Sequence, residues 1–346
     1  MITMPFISVV IPFYNAEDWV AEAIESIFSQ SYPHQLIEII LVDDGSNDDT
    51  STIAQNLLKN GNIAWQIKQI ANAGPSRARN VGWQSGKGDW IQFLDADDLL
   101  DPDKLNYQAA IANKSTIDVA SIYSDWQYLF HINNVWQKQF PPRTPMINLD
   151  PVADLLTDNG FVHIGAQLFS RLWLEKVGGF DERHWLIEDV DLMLRLAMAG
   201  GKYLQAISDK PLFFYRRNVQ QSLSQRNERE FIDGCVRNAQ LAEKFWEDKN
   251  DLTIERKEVV VAVYYQAARF YAGVDKEQFE QLVKKLEILQ PGFVPPGPFH
   301  LRQLSKMVGY SRAESIAHFY RRIKHLLPGR INQSDQNLIR TGKSNK

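Results

Sequence analysis

Four short apolar runs, residues 7–13, 37–42, 63–70 and 90–94, alternate with segments of helical periodicity, and each run ends in a polar or glycine-containing turn. Parallel strands need a long crossover, usually a helix, so this alternation predicts an α/β fold with a mostly parallel central sheet and flanking helices. Between the first two runs, Asn15 is placed to cap a helix with Asp18 three residues on. Trp19, Val20, Ala23, Ile24, Ile27 and Phe28 then form one apolar stripe.

Ligands of open α/β sheets bind outside the carboxyl ends of the strands. Three strand-end turns carry the chemistry: Pro12-Phe13-Tyr14-Asn15, Asp43-Asp44-Gly45-Ser46 and Asp95-Ala96-Asp97-Asp98. All three are expected on one edge. Carboxylates fixed as in the third turn suit a divalent cation, Mn²⁺ or Mg²⁺, and its bound diphosphate, although an acidic turn capping the helix near Lys104 has the same composition. A carboxylate of the Asp43-Asp44 pair can accept a base N–H, with a helix cap as the alternative.

Arg77 and Arg79 open the helix after the third run and suit a diphosphate through permanently charged, bidentate donors; a surface helix capped by Ser76 is the other reading. Residues 82–87 resemble a phosphate loop but are one residue short and precede a strand. Further on, Glu188 and Asp189 begin a helical pattern. A carboxylate there can act as a general base, while the helix dipole accounts for acidic residues without any catalytic role. Arg216 and Arg217 end a last strand-like run and either close over a diphosphate or form a solvated basic turn.

From residue 119 a hairpin, 122–130 and 135–140 about Asn133-Asn134, leads into mixed elements up to residue 224; residues 231–246, 259–271 and 278–289 read as helices. A net charge of −4 argues against a nucleic-acid partner, since that surface needs a broad excess of Lys and Arg. The lone cysteine, Cys235, fits a reducing compartment. No leader is evident before Pro12, and residues 259–274 fall short of a membrane span, so a cytoplasmic location is expected.

Six segments in order, 8–15 (SVVIPFYN), 38–46 (EIILVDDGS), 78–82 (ARNVG), 93–98 (FLDADD), 178–181 (GGFD) and 188–191 (EDVD), closely resemble glycosyltransferase family 2, over roughly residues 5–225. The resemblance implies a GT-A fold, a nucleotide-diphosphate sugar donor with a preference for uridine, and displacement with inversion at the anomeric carbon. It also implies that Pro12, Tyr14 and Asp44 hold the nucleoside. Asp95 and Asp97 match the DXD pair, Asp95 facing the ribose and Asp97 the metal, with Asp98 an alternative ligand. Asp189 matches the catalytic base. One departure is Asn218, where many relatives carry a histidine.

The implied organisation is a catalytic domain over 1–225, divided into a nucleotide-sugar half (1–118) and an acceptor half (119–225). A helical extension over 226–290 follows, then a linker and basic tail over 291–346. The acceptor is a hydroxyl of a carbohydrate, a lipid-linked sugar or another glycoconjugate. Two other functions fit parts of the pattern: a sugar-nucleotide pyrophosphorylase or other nucleotidyltransferase, disfavoured because 12–15 lack the glycine-rich loop such enzymes open with, and a non-catalytic nucleotide-sugar-binding protein. Residues 299–346 hold ten Lys or Arg against Glu314 and Asp335 and suit peripheral contact with the inner face of a membrane. An intramolecular helix with a solvated basic side fits the same residues.

Overall fold

The structure, a computed structural model, describes residues 4–132, 135–217 and 227–326, the last six by backbone alone. Contacts divide the chain into two compact units, Met1–Gly234 and Cys235–Lys346.

The first unit runs β1 (Ile7–Phe13), α1 (Val20–Phe28), β2 (Ile37–Asp43), α2 (Thr50–Lys59), β3 (Ala64–Gln69), α3 (Pro75–Ser85) and β4 (Trp90–Phe93), the predicted alternation. It continues through β5 (Leu99–Leu100), α4 (Lys104–Ala112), β6 (Val119–Ser124), β7 (Trp126–Ile132), β8 (Val135–Arg143), α5 (Pro151–Leu155), β9 (Gln167–Ser170), α6 (Arg171–Val177), α7 (Glu188–Met198), β10 (Lys202–Ala206) and β11 (Phe213–Arg217). Seven strands form the central sheet in the order β10-β6-β9-β4-β1-β2-β3. Its pairs are parallel except at β9, which runs antiparallel to both β4 and β6.

Every residue of β1 and β2 is buried, as strands covered on both faces require, whereas edge strand β3 is largely exposed. The strand order reverses at β1, which lies between β2 and β4. Pairings Val10↔Ile40, Val10↔Phe93 and Phe13↔Asp43 place the carboxyl ends of the three strands on one edge, as predicted. This is where an α/β sheet opens a crevice.

Two local expectations are corrected. Asn15 does not cap α1: its φ is 49°, the helix starts at Val20, and Ala16 O accepts the first N–H groups. Instead Asn15 N donates to Ser46 Oγ (3.0 Å) and Asn15 Oδ1 accepts from Asn47 N (2.9 Å), stapling the ends of β1 and β2 together. The apolar stripe is nevertheless core, with Val20, Ala23, Ile24 and Ile27 fully buried.

The long strand predicted over 122–130 is interrupted at Asp125, where the chain passes from the central sheet into a second sheet of order β5-β11-β7-β8. Asp125 suits the crossing because its polar groups are satisfied there: its carbonyl accepts from Leu212 N, and its carboxylate from Thr144 Oγ1 and Gln205 Nε2. β7 and β8 form the expected hairpin; its predicted turn, Asn133-Asn134, lies outside the described residues.

The division between units falls inside α8 (Glu228–Asp248). The second unit continues through α9 (Ile254–Tyr271), α10 (Lys276–Leu289), α11 (Phe299–Val308) and α12 (Tyr310–Leu326). Thr253 caps α9, and Asp275 caps α10 through the N–H groups of Glu277 and Gln278. No described helix is long and apolar enough to cross a membrane.

Candidate active site

At the end of β1, Pro12 is buried and Tyr14 stands exposed. Asp44, at the end of β2, is buried, and both its oxygens are occupied: Oδ1 accepts from Ala73 N (2.8 Å) and Oδ2 from Gly74 N (2.9 Å). Burial raises its carboxyl above the usual range despite these bonds. Asp44 therefore anchors the turn that opens α3. Gly74 has φ 90° and lies under the Trp185 indole, so a Cβ would come within 2.6 Å of the ring. Only glycine satisfies both the backbone and the indole there.

The ARNVG segment acquires its meaning from packing. Gly82 lets α3 approach β1, since a Cβ would meet Val10 Cγ1 at 2.2 Å. Asn80 pairs with the Phe180 backbone in both directions, at 2.9 Å each, and so fastens the GGFD segment to α3. Arg77 is exposed and pairs with Glu182 (3.1 Å). Arg79 is buried; its Nη2 bonds Asp95 Oδ1 at 2.7 Å and its Nη1 bonds Glu188 Oε1 at 2.6 Å. Both guanidinium groups were expected at a diphosphate, yet each meets carboxylates, and that of Arg79 joins the acidic turn to the start of α7.

That pairing divides the acidic turn in two. Burial opposes ionisation of Asp95, but Arg79 wins and holds its carboxyl below the ordinary range. Asp97 is half-buried; burial and then the Asp95 charge push it up to about 6. Asp98 is fully buried and raised well above the usual range by burial and by Asp97 and Asp95. Its Oδ1 accepts from Arg216 N (2.9 Å), while Oδ2 is buried with no hydrogen-bond partner. Crowded carboxylates and an orphaned oxygen are what a divalent cation would relieve, so these residues fit one.

His163 sits beside them, unforeseen in the sequence. Asp95, Asp98 and His163 each place a ligand atom within 4.8 Å of the others. The ring lies against Phe213 and Tyr215, with centroids 4.8 and 4.4 Å away, and burial pushes it down to about 4, so it is neutral. Nδ1 accepts from Gly165 N (3.2 Å), which leaves the proton on Nε2, the nitrogen 3.9 Å from Asp98 Oδ2. In this tautomer Nε2 has no lone pair to offer a metal. The bond from Gln92 Nε2 to Gly165 O, those from Gln108 Nε2 and Ser124 Oγ to Ala166 O, and the β4–β9 ladder are non-local pairings that hold this segment beside the turn.

Arg216, also expected at a diphosphate, is enclosed by side chains of the protein. Its guanidinium is buried between Trp136 and Trp19, 4.9 and 5.6 Å from their ring centres, and pairs with Glu22. Asn218 lies outside the described residues.

Asp189 lies in the first turn of α7, half-buried, with Oδ1 accepting from Val190 N (2.8 Å). Burial, then the neighbouring Glu188 charge, raise it to about 7. A carboxylate poised near neutrality is suited to taking a proton.

Residues 8–178 match the family model for glycosyl transferase family 2. The minor teichoic acid biosynthesis protein GgaA of Bacillus subtilis is 32% identical over 233 residues, covering 64% of this chain and 49% of that protein. The chain covers 16% to 61% of the length of the curated relatives it matches. Among solved structures, S. aureus TarS 1-349 in complex with UDP-GlcNAc superposes with a TM-score of 0.58 at 17% identity, covering 90% of this chain and 91% of that one. The mannosyltransferase PcManGT of Pyrobaculum calidifontis, in complex with GDP-Man and Mn²⁺, gives 0.51 at 16% identity, covering 92% and 88%. These likenesses establish a GT-A-like fold. Through residues 8–178, the chain belongs to glycosyl transferase family 2.

Proposed function

We propose that this protein transfers a sugar, with inversion, from a nucleotide-diphosphate sugar to a hydroxyl of a polysaccharide or other glycoconjugate. The observation that carries the reading is the Arg79 bridge, which fixes the donor-side turn at Asp95 and the residue preceding Asp189 to one guanidinium. Donor binding and proton removal are thereby held in one frame. The nucleoside lies against Tyr14 and the Asp44-anchored turn. GgaA, named for teichoic acid biosynthesis, supports a polymer of that kind as product class; TarS with UDP-GlcNAc and PcManGT with GDP-Man support a nucleotide-diphosphate sugar as donor, the uridine carrier following TarS, and PcManGT with Mn²⁺ supports a divalent cation.

Asp97 and Asp98 would hold that cation, because Asp95 already has its counter-charge in Arg79 whereas their raised carboxyls do not. When bound, it would supply electrostatic neutralisation of the leaving diphosphate. Asp189 accepts the acceptor hydroxyl proton as that oxygen attacks the anomeric carbon from the side opposite the diphosphate. Proton removal of this kind is worth about 10²–10⁴ in rate.

The deciding experiment incubates the full chain with UDP-GlcNAc or other nucleotide-sugars, Mn²⁺ and a panel of glycan acceptors, following nucleotide release and the anomeric configuration of product by NMR. Product of inverted configuration supports the proposal. A retained configuration, or formation of nucleotide-sugar from nucleoside triphosphate, overturns it.

A further inference from the structure

The last two described helices of the second unit have an outward side with the composition of an interfacial surface. α12 packs inward through Tyr310, Ala313 and Glu314, all essentially buried. Its apolar residues Ile316, Phe319 and Tyr320, spaced i, i+3, i+4 and so on one face, are instead 52%, 65% and 67% exposed. On α11, Phe299 and Met307 are 75% and 80% exposed. Scattered exposed apolar residues are ordinary, but a face of them on a helix already packed by its other side needs a reason.

The exposed charges that the two helices themselves contribute are of one sign, although Glu280 of α10 lies beside α12 and accepts from Ser311 Oγ. Residues 299–326 contain Arg302, Lys306, Arg312, Arg321, Arg322 and Lys324, against the single acid Glu314. Glu314 is buried and Arg302, Lys306 and Arg312 are exposed, so the described surface of the two helices carries cations and no exposed carboxylate. The chain as a whole is acidic, at −4, so the concentration is local. Exposed aromatic and aliphatic side chains interleaved with Lys and Arg match an anionic lipid surface, where rings enter the headgroup region and cations meet lipid phosphates. A protein partner would also want an apolar face, but nothing in its chemistry calls for one sign of charge.

We propose that the exposed face of α11 and α12 docks on an anionic bilayer. The inference is independent of the transfer chemistry. It is tested by flotation of the full chain with vesicles of phosphatidylcholine alone and of phosphatidylcholine with phosphatidylglycerol, at low salt and at high salt.

The chain should float with the anionic vesicles, weakly or not at all with the neutral ones, and less at high salt. Each cation brought to such a surface contributes about fivefold in binding, so Arg302→Glu with Lys306→Glu and Arg312→Glu should weaken it at least about a hundredfold. Phe319→Ser with Tyr320→Ser should also abolish flotation, and circular dichroism should show unchanged helix content, because both side chains lie outside the packed face. Absence of flotation with anionic vesicles, equal flotation with neutral ones, or flotation unaffected by both variants overturns the proposal. So does concentration-dependent dimerisation by sedimentation that Phe319→Ser abolishes while vesicles go unbound, since the face then serves a second copy of the chain.

Discussion

Arg79 Nη1 lies 2.6 Å from Glu188 Oε1, a bond between residues 109 positions apart that ties α3 to the first turn of α7. Because the same guanidinium holds Asp95, the acidic turn and the residue beside Asp189 are tied to one group. Arg79→Met should cost about 3 kcal/mol of stability, as removal of one member of a buried ion pair does. Combining it with Glu188→Gln should cost clearly less than the sum of the singles, by more than about 0.5 kcal/mol in urea titrations. Additive losses would show that the two residues do not act together.

Asp189→Asn should lower the transfer rate by about 10²–10⁴ while leaving nucleotide binding by calorimetry unchanged. The wild-type rate should also depend on pH in a stated direction. A base works ionised, and burial places this carboxyl at about 7, so the rate should rise with pH below that value and level off above it. A rate flat between pH 5.5 and 8.5, or an Asn variant at wild-type speed in single turnover, would remove Asp189 from the role.

Asp97→Asn and Asp98→Asn should each weaken Mn²⁺-dependent UDP binding at least about tenfold, and chelation with EDTA should reduce wild-type binding similarly. His163→Phe should change it by less than about threefold, since the ring keeps its packing against Phe213 and Tyr215 and its Nε2 already carries a proton. Calorimetry with and without metal reads all three. A His163→Phe loss as large as that of Asp98→Asn would mean that the imidazole ligates after exchanging tautomer.

Lys104 is fully buried, its ammonium nitrogen held by Gln92 Oε1 and, at 2.5 Å, Gln108 Oε1, and burial drives its pKa well below the ordinary lysine value. As pH rises, the folded protein therefore loses its proton there before the unfolded chain does, which keeps it up to about pH 10.4. Stability from this group rises with pH toward that value. Against Lys104→Met, the wild-type melting temperature should gain between pH 7 and pH 10. A difference independent of pH would show that Lys104 is charged in the fold.

The four strand runs, the apolar stripe of α1 and the shared edge of the three polar turns were legible because they depend on local periodicity and on one rule of parallel sheets. Arg79 was legible as a permanent charge near the acidic turn but not as a bridge, since its partners are chosen by how α7 packs on α3. His163 carried no local signal: it follows Phe161 and Val162 in an irregular segment and reaches Asp98 through non-local pairing. Arg216 shows the same limit in reverse, its basic motif reading as a ligand contact while two tryptophans from distant elements enclose it.

The placement of β9 has a consequence for how this chain can diversify. Within Gln167 to Ser170, Phe169 and Ser170 pair with β4 and Gln167, Leu168 and Phe169 pair with β6, so a slip of one position would turn the buried Gln167 and Leu168 each to the other face of the sheet. The double pairing resets the backbone after whatever loop comes before it. Residues can therefore be added or lost around the exposed Leu149 without displacing the imidazole of His163, which lies fourteen residues further on and four before β9. Chain length is free on the approach and fixed at the site.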